Sequence, residues 1–318
     1  MTADRRLSLR GIETAAARID PVFLASPQYP CEPLGDALGC ELVLKVETQN
    51  PIRSFKGRGA SLFVARDAGA QPLVCASAGN FGQAMAYACR AHRRPLTVFA
   101  SRHANVLKLE RMRALGAELV LAGDDFDAAK AAARAHADAT GACYVEDGRE
   151  LAVSEGAGTL ALELLRAVEA IDVLLVPLGN GALLAGVGTV VRALAPHTRV
   201  VAVSAAGAPA MVASLRERRR VVTTGVDTIA DGVAVREPVP EALADLDGLV
   251  DDTRLVDDDA ILGAMRALHE HAGLVVEPAG AVGLAALLAE PDLGRGRRVA
   301  TIVCGGNLTD EQRRAWLA

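Results

Sequence analysis

Lysine is scarce in this chain of 318 residues. Of its 34 basic side chains only four are lysines, Lys45, Lys56, Lys108 and Lys130, and the rest are arginines. A mechanism that needs a reactive amine therefore has four side-chain candidates, plus the N-terminus. Aromatic residues make up 3% of the chain, net charge is −5, and no basic stripe is interleaved with aromatics. The short run Arg216, Arg218, Arg219, Arg220 reads as a solvated helix end. These features argue against nucleic-acid binding. The six cysteines (Cys31, Cys40, Cys75, Cys89, Cys143, Cys304) show no CxxC spacing and no gathered histidines, which argues against a zinc site or a disulfide framework. No apolar run reaches the roughly 18 residues of a membrane span. The start, with Arg5, Arg6 and Arg10, lacks the apolar core of a signal peptide, so a cytoplasmic location is expected.

The composition that remains, 51% hydrophobic and 23% charged, is that of a folded globular protein. At this length about two domains are expected. Short apolar runs over 42–47, 73–76, 96–100, 118–121, 173–177, 199–203 and 299–304 alternate with helical patterns and glycine stops. That alternation predicts an α/β architecture with mostly parallel sheets flanked by helices. The pattern breaks at Asp147-Gly148-Arg149. The expected division is a small lobe over 46–150 and a large lobe from 1–45 and 151–318.

Four segments follow predicted strands, where open α/β sheets place ligands. In Ser54-Phe55-Lys56-Gly57-Arg58-Gly59 a lysine enters a helix among small residues. The helix N-terminus and the neighbouring Arg58 both disfavour a protonated amine, and the free amine is the form that makes a Schiff base. Ser77-Ala78-Gly79-Asn80-Phe81 offers backbone N–H groups at a helix start, a natural anion site. Pro177-Leu178-Gly179-Asn180-Gly181-Ala182-Leu183 can turn successive N–H groups toward a phosphate. Its glycines do not keep the dinucleotide spacing, and no acidic residue follows at the right distance. Cys304-Gly305-Gly306-Asn307 ends the last strand. Taken singly, each segment also reads as ordinary structure: a surface lysine, a tight turn, a loop, a buried cysteine.

Together and in this order, the four resemble the β-family, fold type II, of pyridoxal-phosphate enzymes, and threonine and serine dehydratases in particular. The resemblance runs from about Leu42 to Asn307 and includes Gly156-Ala157-Gly158-Thr159 and Glu277-Pro278-Ala279-Gly280-Ala281. It implies the two-lobed architecture of that family and pyridoxal 5′-phosphate as cofactor. Lys56 matches the Schiff-base lysine, which also acts as base on the substrate Cα; Phe55 precedes it in the cofactor site. Lys45, Lys108 and Lys130 read as structural or solvated. Asn80 matches the residue that bonds the cofactor ring hydroxyl. Ser77, Ala78, Gly79, Asn80 and Phe81 match the substrate-carboxylate loop. Gly179, Asn180, Gly181, Ala182 and Leu183 match the phosphate loop, with Asn180 and Ala182 where the family has glycine; Asn tolerates positive φ there. Cys304 matches the neutral residue facing the pyridine nitrogen. A neutral partner weakens the ring as an electron sink, which favours prompt β-elimination.

Three departures bear on the reaction. Ala78 stands where serine racemases carry a second acid/base. The stretch from Ser204 to Ala210 holds no carboxylate for the divalent cation of racemases and some dehydratases, so no metal is expected; Asp227 and Asp231 read as turn or cap residues. Lys56 is followed by Gly57-Arg58, unlike threonine synthases, and the Asn80 loop is unlike that of cysteine synthases. The chain ends eleven residues after Asn307, so no regulatory domain of the biosynthetic dehydratase type is expected. Phe81 replaces a family histidine, and Arg53 a family glycine; Arg53 reads as a solvated loop residue or as a partner for an acidic substrate group. The expected activity is β-elimination on L-threonine or L-serine, giving a 2-oxo acid and ammonia. Racemisation, β-replacement and non-catalytic cofactor binding are the alternatives. A homodimer is implied by the resemblance, with a small amino acid as partner and neither nucleic acid nor membrane.

Overall fold

A computed structural model describes residues 5–317 except Ala68 and Asn105. The N-terminal amine, one of the amine candidates, lies outside the described residues. In chain order the strands are β1 (Gln28–Pro30), β2 (Glu41–Val46), β3 (Leu73–Ala76), β4 (Leu96–Ala100), β5 (Glu118–Leu121), β6 (Cys143–Val145), β7 (Val173–Pro177), β8 (Arg199–Ala205), β9 (Asp252–Val256) and β10 (Arg298–Val303). The helices are α1 (Leu9–Ala16), α2 (Glu32–Leu38), α3 (Lys56–Arg66), α4 (Asn80–Ala91), α5 (Val106–Ala114), α6 (Phe126–Thr140), α7 (Leu151–Ala167), α8 (Ala182–Leu194), α9 (Ala210–Glu217), α10 (Pro240–Leu246), α11 (Asp258–Ala272), α12 (Pro278–Ala289) and α13 (Asp310–Leu317).

The strands form two sheets. The six-stranded sheet has the order β1-β2-β10-β7-β8-β9, and the four-stranded sheet the order β5-β4-β3-β6. Every pairing is parallel except β1 with β2. The expected mixed α/β class with parallel sheets is what the chain adopts. Strands β7 and β10 are buried almost throughout, as strands covered by helices on both faces must be. In β3 the alternating residues Leu73 and Cys75 join one core, with α3 and α4, while Val74 and Ala76 join another with Ala133 and Ala137 of α6. The first of these cores also takes in Phe23, Val153 and Ala182. No described helix is long and apolar enough to cross a membrane.

Helix α7 lies between α3 and α8 and touches both closely. A Cβ added to Gly156 would stand 2.6 Å from Gly59 Cα and 2.7 Å from the Arg58 carbonyl oxygen. A Cβ added to Gly186 of α8 would stand 2.1 Å from the Ser154 carbonyl oxygen. The Gly156-Ala157-Gly158 stretch is therefore a packing seam at which backbones meet, and it carries no chemistry of its own.

Beneath α3 lies a buried charge network. Arg58, Lys45 and Glu47 are each 0% exposed. Arg58 donates to Glu47 through Nε (2.8 Å) and Nη2 (2.9 Å), to Glu163 through Nη1 (2.7 Å) and to Ser26 through Nη2 (3.0 Å). Lys45 Nζ donates to Glu163 at 2.6 Å. Burial by itself would raise the Glu163 carboxyl, but the hydrogen bonds and charges of Arg58 and Lys45 outweigh it and hold the group at about 2. Lys45 is wholly enclosed, so desolvation prevails over its acidic neighbours and lowers it.

Candidate active site

Lys56 opens α3 immediately after the turn that carries the chain away from β2. That turn is pinned to the end of β10: Ser54 Oγ and the Phe55 amide both donate to the Cys304 carbonyl, at 3.2 and 3.1 Å. Lys56 Nζ sits 4.7 Å from the Phe55 ring centroid and 5.9 Å from that of Phe81, an arrangement that favours a cation over the ring faces. Its ion-pair partner is Asp147, whose Oδ2 is 2.5 Å away; the two side chains are 14% and 11% exposed. The sequence suggested Arg58 as the charge acting on this amine. The structure reverses the sign. Arg58 is turned inward and neutralised by Glu47 and Glu163, and the charge beside Lys56 is a carboxylate.

The other three lysines have partners of their own. Lys45 is structural. Lys130 pairs with Asp127 (3.4 Å) and Glu146 (3.7 Å). Lys108 is buried and pairs with Asp231. It is neither remote nor solvated, since its charge acts on the buried Glu277. Asp231 opens a short 3-10 turn, Asp231–Val233, and its carboxylate serves that lysine.

Two helix N-termini flank the amine. The internal ladder of α8 begins with the Ala185 amide reaching the Gly181 carbonyl at 2.8 Å, so the amides of Ala182, Leu183 and Leu184 precede it. The positive φ that shapes this loop falls on Gly181 (+97°). Asn180, where positive φ was anticipated, does not adopt it; its side chain donates instead to Asp147 Oδ2 at 3.1 Å. In α4 the first such bond runs from Gln83 to Gly79 at 3.3 Å, leaving the amides of Asn80 and Phe81 ahead of it. Ser77 does more than lend backbone. Its Oγ accepts from the amides of Gly79 (3.1 Å) and Gly82 (2.9 Å) and locks the loop.

Behind Asn80 lies a polar knot that the sequence reading missed. Asn80 Nδ2 donates to Glu277 Oε1 at 2.5 Å, and Asn80 Oδ1 accepts from Asn307 Nδ2 at 2.9 Å. The Asn307 amide donates to Glu277 Oε2 at 3.2 Å, and Arg111 Nη1 donates to Asn307 Oδ1 at 2.7 Å. Burial pushes the Glu277 carboxyl up to about 7, against the opposing pull of Lys108. Arg53 is half-buried at φ +52° and lowered by burial and by the charge of Arg111; it is not the freely solvated loop residue that the sequence suggested first. Cys304 Sγ donates to the Ala279 carbonyl at 3.5 Å. Burial, then the charge of Glu277, raises its thiol, which stays neutral. A residue signal for the knot existed in Glu277-Pro278 and Asn307, but nothing in their spacing gave them a role. Asp147 was visible only as a break in the pattern.

An open cavity of about 500 Å³ is lined by Arg6, Arg134, Asp138, Tyr144, Arg149 and Glu150. It contains none of the four segments, and its arginines are engaged by Asp245, Glu146 and Glu241.

A family model described as pyridoxal-phosphate dependent enzyme matches residues 19–305. The chain belongs to that family. It is 36% identical over 278 residues to an L-threonine ammonia-lyase of Thermotoga maritima, covering 86% of this chain and 69% of that one. It is 36% identical over 310 residues to a biosynthetic L-threonine dehydratase of Mycobacterium tuberculosis, covering 95% and 72%. Among solved structures, a threonine deaminase of T.th. superposes with a TM-score of 0.90 at 32% identity, over 95% of this chain and 99% of that one. Maize serine racemase superposes with a TM-score of 0.91 at 28% identity, over 98% and 96%. The residues of this pyridoxal-phosphate family member fit the cofactor: an enclosed amine, helix-start amides beside a left-handed Gly181 for a phosphate, and a neutral thiol at a strand end. Asp147 Oδ1 is buried without a hydrogen-bond partner among the described residues, so this pocket holds an acceptor oxygen that is open to a bound group.

Proposed function

We propose that the chain is an ammonia-lyase that removes the β-hydroxyl and then the amine of L-threonine or L-serine, releasing a 2-oxo acid and ammonia. The observation that carries this reading is Lys56, a shielded amine held between two helix starts, with Ala78 supplying no second proton donor. Bound there, pyridoxal phosphate supplies an aldehyde for the amine and an electron-withdrawing ring that loosens the substrate Cα–H bond. The backbone from Gly179 to Leu183, at the start of α8, would hold the phosphate. Asn80 has one amide proton left that would serve the ring hydroxyl, and Cys304 would meet the ring nitrogen as a neutral group. The substrate carboxylate takes the amides of Asn80 and Phe81 in the loop fixed by Ser77, Ala78 and Gly79. Phe55 and Phe81 exclude water from Lys56, which takes the Cα proton. The threonine ammonia-lyase and dehydratase relatives support the same assignment.

The likeness to a serine racemase fold keeps racemisation as a second reading. Ala78 speaks against it, and chiral analysis of residual serine separates the two. A homodimer, a cytoplasmic location and the division into lobes at 46–150 belong to the same proposal. Purified holoenzyme is expected to release 2-oxobutanoate from L-threonine or pyruvate from L-serine, and Lys56→Ala to lose both that activity and the visible cofactor band. Absence of 2-oxo acid from every β-hydroxy amino acid tried sinks the assignment.

A further inference from the structure

Asp147 sits on the turn that follows β6, and three features fix it there. Its Oδ2 meets Lys56 Nζ at 2.5 Å and Asn180 Nδ2 at 3.1 Å. The next residue, Gly148, has φ +88°, and a Cβ on it would stand 2.5 Å from the Asn180 carbonyl oxygen, so the turn can close on the Gly179–Gly181 loop only with glycine at that position. Its second oxygen, Oδ1, is buried with no hydrogen-bond partner among the described residues. Leaving a buried carboxylate oxygen unpartnered is costly. That cost is offset if the oxygen meets a substrate group during turnover.

We propose that Asp147 carries the proton of the elimination, accepting it from Lys56 and giving it to the departing β-hydroxyl. This rests on the β-elimination reading above. In the step, the Cα–H bond breaks and its proton goes to Lys56 Nζ. The electron pair left at Cα forms the Cα–Cβ double bond, and the Cβ–O bond breaks with its pair on oxygen. Lys56 Nζ passes a proton to Asp147 Oδ2, and the Asp147 carboxyl delivers a proton to the leaving oxygen, which departs as water. The amine and the carboxylate return to their starting states with no oxidant or outside acid.

The leaving group supplies the test. A hydroxyl needs a proton to depart, whereas the chloride of β-chloro-L-alanine does not. In the holoenzyme, Asp147→Asn is expected to lose about 100-fold or more in kcat on L-serine or L-threonine, the usual worth of a positioned general acid, and about tenfold or less on β-chloroalanine. Borohydride trapping of the cofactor on Lys56 should proceed in the variant as in the wild type, since the carboxylate takes no part in that bond. Asp147→Ser gives the same comparisons if Asp147→Asn does not fold. Equal loss on both substrates, no loss on either, or loss of the trapped cofactor overturns the proposal. A wild-type enzyme inactive on both substrates overturns the elimination reading instead, and the proposal falls with it.

Discussion

Replacing Glu277 with glutamine tests whether burial governs the knot behind Asn80. The carboxyl is 2% exposed and stands at about 7 instead of 4.5. The main cause is desolvation. Lys108 pulls the group down, Asp231 pushes it up, and the donors on Asn80 and Asn307 lower it. Between 4.5 and about 7 the folded chain therefore binds more protons at this site than the unfolded chain does, and stability contributed by the neutral form is lost as pH rises through that window. At about 1.36 kcal/mol per pH unit the loss is roughly 3 kcal/mol, equivalent to about 4–5 °C in unfolding midpoint for a chain of this length. Glutamine does not titrate. Its amide nitrogen must face either Asn80 Nδ2 or the Asn307 amide, both of them donors, at a pH-independent cost of about 1–3 kcal/mol. The wild type should thus be the more stable protein at pH 5, with that advantage shrinking or reversing by pH 8. Thermal unfolding of both proteins, followed by circular dichroism with the cofactor removed so that its own titration does not enter, measures the difference. Parallel curves across the range would refute the claim that burial keeps this carboxyl protonated.

Arg58→Met should destabilise the chain by about 3–5 kcal/mol, because Glu47 is left buried without its cation; urea unfolding reads this directly, and a loss under about 1 kcal/mol contradicts the network. The same network predicts an acid limit: the stability that Glu163 contributes is intact above 4.5 and is lost as pH falls toward about 2, and Glu163→Gln should flatten that acid limb. Gly186→Ala places a methyl 2.1 Å from a backbone oxygen and should cost at least the roughly 1–3 kcal/mol typical of overpacking. Gly263→Ala, in α11 with open space around its Cβ, should instead stabilise by about 0.5–1 kcal/mol. Similar melting shifts for the two variants contradict the seam.

The alternation of strands and helices was legible because period and punctuation are local properties, whereas the four strand-end segments stood out only together and in order, through the family resemblance, since each alone also reads as ordinary structure. Lys56 could be ranked above Lys45 and Lys130 on the same grounds. Arg58 could not be read correctly, since its partner Glu163 lies 105 residues away and nothing local shows that the guanidinium turns inward. Asp147 meets Lys56 across 91 residues, and Asn80 meets Glu277 across 197. A turn acid and an acid before proline carry no local mark of what they touch. The phosphate-loop expectation erred in a smaller way. The tolerance of Asn for positive φ is not used, because Gly181 takes that conformation, and Asn180 instead contributes its side-chain amide to Asp147.

The seam along α7 has a consequence for how the pocket can change. The start of α3 grips one end of the proposed cofactor and the start of α8 the other, and the spacing between them is set by main chain resting on main chain through Gly156 and Gly186. Among the pocket side chains, Asp147 also ties the two together, through Lys56 and Asn180. On the proposed reading, substitutions at Ala78, Phe81 or Arg53 should therefore leave the separation of the lysine and the phosphate loop unchanged. On the proposed reading, α7 contributes no reacting group, yet its glycines at the seam leave no room for a side chain.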